Sequence, residues 1–338
     1  MIAAFLTAAA FTPAHAADTN ADTNNRITLL EENDSLYFND DKHYTQGLRL
    51  SYLGPEFDPD SDWDEPFKFL SNIPTVFQPS GLGEHPPRRY AVFLGQSFFT
   101  PKDKSLNPPD PKDRPYGGWL YGGVSLLQEA GENKLENLEF DLGVVGPAAL
   151  GREVQNNWHQ FIGANTARGW DSQIRNEPGL MLSYEREWRA KIWGDDNGID
   201  IVPGVGATLG NVFTYGEVGA LLRFGNGLKA DYGPVRIRPA LSGTDFFAGN
   251  RAKGDFGYYA FAGLQGRVVG RNIFLDGNSF RSSPSVDKNI FVADFQAGFS
   301  LFWCDTARVD FSVVERTKEF KGQAAADPIG TADISFSW

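Results

Sequence analysis

Long runs of alternating apolar and polar residues limit the possible folds of this sequence more than any other feature. Residues 134–147, 291–303 and 330–338 each alternate in this way. Side chains of a β-strand point in turn to its two faces, so each run predicts a strand with one apolar and one polar face. The longer runs reach roughly 10–14 residues, against about five or six in soluble sheets, which favours an outer-membrane β-barrel over a soluble sandwich.

The sequence contains twelve strand candidates and one weaker one. The twelve are residues 26–38, 43–54, 89–100, 116–128, 134–147, 177–191, 198–210, 213–225, 256–270, 289–303, 306–319 and 330–338. Residues 234–241 are weaker because Pro234 and Pro239 lie inside them, and proline is poorly tolerated in a strand ladder. Single-chain bacterial barrels have an even number of strands. We therefore predict an all-β, transmembrane, antiparallel up-and-down barrel of about twelve strands, with a loop at 226–254.

Composition and a targeting pattern narrow the classes of function. The 338 residues include 31 Lys plus Arg and 43 Asp plus Glu, and the net charge of −12 argues against nucleic acid as a partner. The single cysteine, Cys304, excludes an internal disulfide framework. Residues 2–11 are apolar and precede Ala14-His15-Ala16, a small-x-small pattern. We therefore predict a signal peptide at residues 1–17 and an exported barrel domain at residues 18–338.

One helix is predicted beyond the signal peptide, in the longest outward loop. Four apolar residues within 151–164 recur at helical spacing: Val154, Trp158, Phe161 and Ile162. A helix over the barrel rim could cover a site, with His159 as its catalytic group. A histidine that only packs on the barrel is the alternative interpretation. His43 and His85 are predicted to be surface residues.

A second group of polar residues lies on the first predicted hairpin. Asn33 and Asp34 are near the end of the first strand, and Thr45 faces them on the second strand if the turn centres on residues 39–41. Carboxylate, amide and hydroxyl oxygens suit a hard cation. Alternation points Asn33 and Asp34 to opposite faces, so one site can use both only if a bulge or the barrel rim re-aims one of them.

Two further patterns concern the fourth strand and the lumen. In Asp113 to Trp119 (DRPYGGW), Tyr116 and Trp119 are predicted to be aromatic residues at the membrane interface. The charged residues predicted to face the lumen are Glu139, Asp141, Glu185, Glu187, Arg189 and Asp294. They suit a packed interior and a narrow pore equally. The sequence contains no P-loop, zincin, nucleophile-elbow or Rossmann glycine pattern.

Taken in order, these motifs resemble the lipid A 3′-O-deacylase family of Gram-negative outer membranes. The resemblance rests on Glu32 to Leu36 (ENDSL), Tyr44 to Ser51 (YTQGLRLS), Asp113 to Gly118 (DRPYGG), Trp158-His159, Gly169-Trp170-Asp171 with Gln173 and Glu177, Arg271 to Gly277 (RNIFLDG), and Val286-Asp287-Lys288. It extends over nearly the whole chain beyond the predicted signal peptide.

This resemblance implies a twelve-stranded barrel and Ca²⁺-dependent hydrolysis of the 3′ acyloxyacyl ester of lipid A. By position it makes His159 the general base that activates water. It also places Asn33, Asp34 and Thr45 in the essential polar cluster. We expect Asp34 and Asn33 to contact the cation, and Glu177 is a further candidate ligand. The expected partners are lipopolysaccharide and the outer membrane, and the expected state is a monomer. The alternatives are a narrow pore and a structural barrel that binds lipopolysaccharide.

Overall fold

All the strands of the described residues belong to one antiparallel sheet. The computed structural model describes residues 22, 24–34, 42–59, 61–79, 85–195, 197–241, 245–248, 256–303 and 306–338. The strand segments are β1 (Arg26–Asn33), β2 (His43–Leu53), β3 (Arg88–Thr100), β4 (Gly117–Ala130), β5 (Lys134–Val145), β6 (Glu177–Trp188), β7 (Ala190–Gly194), β8 (Gly198–Gly210), β9 (Phe213–Asn226), β10 (Gly257–Asn272), β11 (Phe291–Trp303), β12 (Ala307–Arg316) and β13 (Asp327–Ser337). The predicted signal peptide lies outside the described residues.

The sheet closes into a barrel of twelve strands. The first strand, β1, pairs with the last strand, β13. Because β6 also pairs directly with β8, the sheet closes on itself. The short β7 pairs with the next part of β8, so β6 and β7 are two parts of one strand that is interrupted at Arg189. The predicted antiparallel barrel and its twelve strands are confirmed.

The outer wall of the barrel is apolar, as contact with lipid requires. Val92 and Leu94 on β3, and Phe140 and Leu142 on β5, are 43–59% exposed. Alternation places their chain neighbours on the inner face. No helix in the described part of the chain is long and apolar enough to cross a bilayer.

The inner face is polar, as predicted. The six charged residues assigned to the lumen are all buried. Asp294, for example, accepts hydrogen bonds from Arg267 at 2.6 Å and from Arg316 at 2.8 Å. Inward charges of this kind are tolerated because they are paired and hydrogen-bonded.

The predicted loop after β9 folds back into the lumen. We call its described residues, 227–241 and 245–248, the plug; most of their side chains are buried. The carbonyl oxygen of Pro239 accepts hydrogen bonds from two arginines of the wall, Arg267 at 2.7 Å and Arg316 at 3.1 Å. Proline lacks the N–H that a ladder needs, which is why this stretch adds no thirteenth strand to the barrel.

Ion pairs join the plug to different parts of the wall. Arg238 donates to Glu139 on β5 at 2.7 Å and pairs with Glu185 on β6. Arg236 donates to Glu32 on β1 at 3.2 Å. Three strands separate β1 from β5, so the plug crosses the lumen. A narrow pore requires an open lumen, and the plug occupies this one.

Three α-helices lie outside the sheet within the described residues: α1 (Glu65–Leu70), α2 (Gly151–Ile162) and α3 (Ile273–Asp276). Helix α2 is the one predicted within 151–164, and it ends at Gly163, whose φ of 74° favours glycine. Helices α1 and α3 were not predicted because so few residues give no clear period of 3.6.

The two ends of the barrel differ. Arg26 of β1 pairs with Ser337 of β13, so the start of the first strand and the end of the last strand lie at the same end of the barrel. Helix α1 follows β2 at that same end, whereas α2 and α3 lie at the opposite end. Bacterial barrels with an even number of strands keep the start of the first strand and the end of the last strand on the periplasmic side, so α2 lies at the outer end.

Candidate active site

The hairpin of β1 and β2 carries three of the predicted site residues. Asn33 pairs with Gln46, which places Thr45 beside it. The register of β2 against β3 shifts between Tyr44 and Gln46, so Thr45 is a bulged residue. Its hydroxyl lies 2.7 Å from the hydroxyl of Thr100. The bulge therefore turns Thr45 toward the end of β3.

Asn33 and Asp34 have different environments at the end of β1. Asn33 shares a face with the exposed Leu29, and its Nδ2 donates to Glu31 Oε1 at 3.3 Å. Asp34 follows the last residue of β1 and is buried, and its carboxylate accepts a hydrogen bond from the backbone N–H of Lys42. Because Asp34 lies beyond the ladder, strict alternation does not fix its direction. That Asn33 and Asp34 serve one site stays a prediction.

Helix α2 packs against the outside of the barrel at the same end. Phe98 lies on the outward-facing side of β3 and packs with Val154 of α2 and with Trp170. Gln96, on the same side of β3, donates from Nε2 to the carbonyl oxygen of Ala149 at 2.6 Å. The helix therefore lies over the outer wall and not over the lumen.

Hydrogen bonds attach the segment after α2 to the helix. Trp170 Nε1 donates to Gln155 Oε1 at 2.8 Å. The side chain of Asn156 donates to the carbonyl of Ala167 at 3.2 Å and accepts from its N–H at 2.9 Å. A Cβ added at Gly151 would come within 2.8 Å of the Trp170 ring. The start of the helix is therefore held tightly against the following segment.

His159 lies in the last turn of α2 and is 8% exposed. Its Nδ1 is 2.6 Å from the carbonyl oxygen of Asn165. A carbonyl oxygen only accepts, so Nδ1 carries the hydrogen and Nε2 carries the lone pair of the neutral ring. Trp158 and Phe161 nearby are 55% and 81% exposed. His159 is thus held, in the tautomer of a base that acts through Nε2, at an apolar edge of the helix.

Asn33, Asp34 and Thr45 form the hairpin cluster, and its residue Thr45 lies on the same outer face of the barrel as α2. Thr100, which contacts Thr45, and Phe98, which contacts α2, are two residues apart on β3 and therefore point the same way. The structure brings Asn33 and Thr45 together at the outer end of β1 and β2. It places His159 on the helix that covers the neighbouring part of the same wall.

The oxygen atoms of the hairpin cluster fit a hard divalent cation. Asp34 offers a carboxylate, Asn33 an amide oxygen and Thr45 a hydroxyl, the ligand types that Ca²⁺ takes in proteins. Searching the described residues reveals no group of three or more His, Cys, Asp and Glu side chains placed to hold a metal ion. A cation here would therefore depend on neutral oxygens in addition to Asp34.

Comparison with protein families decides the relationship of this chain. The family described as outer membrane protein LpxR matches residues 1–338. The chain belongs to the LpxR family. The resemblance to outer-membrane lipid A deacylases is thereby confirmed at the level of family, and the protein is an outer-membrane barrel.

The solved structure of a family member agrees with this assignment of the fold, and a second solved structure is less similar. LpxR from Salmonella typhimurium is 24% identical, has a TM-score of 0.68, and the match covers 92% of this chain and 99% of that one. The beta domain of the Bordetella autotransporter BrkA is 11% identical with a TM-score of 0.44, over 94% of this chain and 100% of that one. No curated protein matched in the corresponding comparison.

In this LpxR family member Glu177, the further candidate ligand, is engaged in hydrogen bonds between outer segments. Its Oε2 accepts from the N–H of Ser279 at 2.8 Å and from Asn278 Nδ2 at 3.1 Å. Its Oε1 accepts from Asn211 Nδ2 at 3.0 Å. These bonds account for the burial of Glu177 without a cation.

Tyr116 and Trp119 do not lie at the membrane interface, and that prediction is wrong. Both are buried. The Tyr116 ring lies 4.8 Å from that of Trp170, and Trp119 stacks on Tyr121 at 5.4 Å. The segment after α2 covers Tyr116, whereas Trp119 shares the inward face of β4 with Tyr121, so both rings contact protein and not lipid.

A cleft of about 930 Å³ lies at the outer mouth. His43, predicted to be a surface residue, is buried there, with Nδ1 2.7 Å from Asp327 and Nε2 3.3 Å from Asp113. That prediction is wrong because loops distant in sequence cover the residue; His85 is exposed as predicted.

Burial opposes ionisation of Asp113 in the cleft, but hydrogen bonds, the largest from His43, lower the pKa of its carboxyl. The cleft is lined by charges of both signs, including Lys42, Lys102, Lys112, Lys321, Asp110, Asp276 and Asp287.

Proposed function

We propose that this protein removes the 3′-linked acyloxyacyl chain of lipid A by hydrolysing its ester. One observation carries the proposal: His159, with Nδ1 bound to the carbonyl of Asn165, lies on a helix over the outer wall near the rim. The acyl esters of lipid A lie just below the headgroups of the outer leaflet. A site on the outer wall faces such an ester directly, whereas a site in the plugged lumen would not. Family membership supports the same reaction.

His159 supplies the proton transfers in this proposal. Its Nε2 takes a proton from water while the water oxygen forms a bond to the ester carbonyl carbon. The tetrahedral intermediate then collapses, the bond from that carbon to the sugar oxygen breaks, and His159 returns the proton to the sugar oxygen. The products are a free fatty acid and a sugar hydroxyl. The carbonyl of Asn165 keeps Nδ1–H oriented and stabilises the transient imidazolium.

Asn33, Asp34 and Thr45 would hold a divalent cation, which we propose is Ca²⁺. Such an ion polarises the ester carbonyl and stabilises the negative charge that develops on its oxygen. Hydrogen bonds within the chain orient two of these oxygen ligands. The backbone N–H of Lys42 orients the Asp34 carboxylate, and Thr100 orients the Thr45 hydroxyl.

Hydrolysis by purified protein tests the proposal. The folded barrel in detergent is incubated with lipid A, with Ca²⁺ or with a chelator, and both lipid products are identified by mass spectrometry. We expect a free acyloxyacyl acid and a lipid A lighter by that unit only when Ca²⁺ is present. Intact lipid A bound to folded protein under both conditions would favour a structural barrel that binds lipopolysaccharide. Hydrolysis that continues in chelator would refute the role of the cation.

A further inference from the structure

The segment between β2 and β3 lies on the outside of the barrel at its inner end. We call its described residues, 55–59 and 61–79, the arm; it includes α1. On β3, Tyr90 has the same outward direction as the exposed Val92 and Leu94. The ring of Phe67, at the centre of α1, is fully buried and lies 5.5 Å from that of Tyr90. The arm therefore covers part of the surface that would otherwise face lipid.

The inner side of the arm covers charged groups of the outer wall. Glu136 on β5 points outward, as the exposed Phe140 does, yet it is fully buried. It accepts hydrogen bonds from the N–H of Phe77 in the arm at 3.1 Å and from Arg186 at 2.8 Å. Arg186 also donates to the carbonyl of Thr75. An ionised group in contact with acyl chains is costly, and the arm removes this cost by shielding the pair.

The arm exposes three large apolar side chains. Trp63, Phe69 and Ile73 are 51%, 72% and 48% exposed. The ring of Trp63 contacts that of Tyr90 at 5.6 Å, and Tyr90 directly precedes the lipid-facing stretch of β3. The exposed apolar side of the arm is therefore continuous with the lipid-facing wall. Tryptophan and tyrosine are typical of the boundary between membrane and water.

The charge of the arm indicates which lipid it contacts. The arm contains five acidic residues against one basic residue, Lys68: Glu56, Asp58, Asp62, Asp64 and Glu65. Asp64 and Glu56 pair with Arg88 and Arg89 of β3, so the surplus negative charge comes from Asp58, Asp62 and Glu65. Anionic lipid headgroups would be repelled by this balance. Contact must therefore come from burial of apolar side chains beneath zwitterionic headgroups.

We propose that the arm is an interfacial anchor, immersed in the inner leaflet of the outer membrane. Trp63, Phe69 and Ile73 contact the acyl chains of zwitterionic phospholipids there. This anchor holds the barrel at a fixed depth, independently of any activity at the outer end. It also explains why an inner-side connection is so long in a fold whose turns on that side are usually short.

Spin labelling tests the anchor. A nitroxide is attached at Phe69→Cys in a Cys304→Ser background, and the folded protein is placed in phosphatidylcholine bilayers. The control is Asp195→Cys, in the inner-end turn between β7 and β8, whose side chain is 55% exposed. We expect the label at 69 to collide readily with oxygen and several-fold less with a water-soluble nickel complex than the label at 195. Equal collision with nickel at both positions would place the arm in water and overturn the proposal. Protection of the label at 69 from both oxygen and nickel would indicate a protein partner and would also overturn it.

Tryptophan fluorescence provides a second measurement without a label. Wild type and Trp63→Phe are compared in bilayers that contain brominated phosphatidylcholine. We expect the emission lost in Trp63→Phe to be a component that brominated lipid quenches. If the lost emission is insensitive to brominated lipid, Trp63 is outside the bilayer and the anchor is wrong.

Discussion

Polar residues on the inside of this barrel and polar residues on its outside have different environments. Inside, Asp294 is shared by three arginines, two from the wall and one from the plug. Outside, the wall is largely apolar, and Asn33, Thr45 and the helix that carries His159 lie together near its outer rim. A charge in the lumen is stabilised by an ion-pair partner. A polar group on the lipid-facing wall must instead be shielded from lipid or be retained for a function.

This contrast shows where to look for chemistry in such a fold. The interior has far more ionisable groups, and many of them are explained by pairing within the wall or with the plug, as Asp294 and Glu139 are. On the outside, the arm explains Glu136 and Arg186 by covering them. The hairpin cluster beside α2 is the group for which catalysis is the proposed explanation.

Asp294→Ala should cause the largest loss of stability. It leaves Arg236, Arg267 and Arg316 buried without their shared carboxylate. Removing one partner of a buried ion pair typically costs about 3–5 kcal/mol. The free energy of unfolding is measured by denaturant titration of the refolded barrel. Asp287→Ala, at the outer mouth, is the control and should change it by less than about 0.5 kcal/mol. Equal losses in the two variants would contradict the structural role of the interior network.

Asp34→Asn should raise the Ca²⁺ concentration needed for half-maximal hydrolysis by at least about tenfold, as changes around metal ligands commonly do. The amide keeps the shape of the side chain, so the free energy of unfolding should be nearly unchanged. Hydrolysis is measured across a Ca²⁺ titration. Asp110→Asn, at the mouth cleft, serves as control. An unchanged Ca²⁺ requirement in Asp34→Asn would remove Asp34 from the cation site.

Thr45→Val should lower kcat about five- to tenfold, because the hydroxyl that meets Thr100 is lost. One such hydrogen bond contributes about 1 kcal/mol, and tenfold in rate corresponds to about 1.4 kcal/mol. Thr45→Ser retains the hydroxyl and should stay near wild type. If valine and serine variants have the same kcat, the hydroxyl takes no part in the reaction.

The outer mouth should loosen slightly at acid pH. Burial opposes ionisation of both Asp113 and Glu319. A hydrogen bond from His43 nevertheless lowers the pKa of Asp113, and the charge of Arg114 lowers the pKa of Glu319. A carboxyl with a lowered pKa stabilises the folded state above its ordinary pKa, and this stabilisation is lost as the pH falls through the lowered value. Hydrogen exchange in residues 101–115 should therefore increase below about pH 4. Exchange that slows on acidification would contradict this sign.

Much of the fold was predictable because alternation encodes strands directly. The twelve strands and helix α2 follow from residue periodicity, and the closeness of Thr45 to Asn33 follows from counting across a short hairpin. The plug was not predictable, because its ion pairs join residues such as Arg238 and Glu139 that are 99 positions apart. The burial of His43, under loops from several parts of the chain, was hidden for the same reason.

The arm and the site illustrate two further limits. The bulge at Thr45 depends on the register of β2 against β3, and a single sequence does not determine that register. Exposed Phe69 and Trp63 look like ordinary loop residues until the arm is placed on the outer wall. The tautomer of His159 depends on Asn165, six residues later, and no periodic pattern connects the two.

Mass spectrometry of lipid A from a Gram-negative host tests the central claim most directly. The host expresses wild type, His159→Ala or His85→Ala, and each barrel is first verified as folded in the outer membrane. His85 is exposed in the connection to β3, far from the outer rim, and provides a matched control. We predict lipid A without its 3′ acyloxyacyl unit for wild type and His85→Ala. For His159→Ala we predict intact lipid A, since a general base typically contributes about 10²–10⁴-fold to the rate. Equal loss of the unit in all three would contradict the role of His159, and intact lipid A in all three would contradict the deacylase itself.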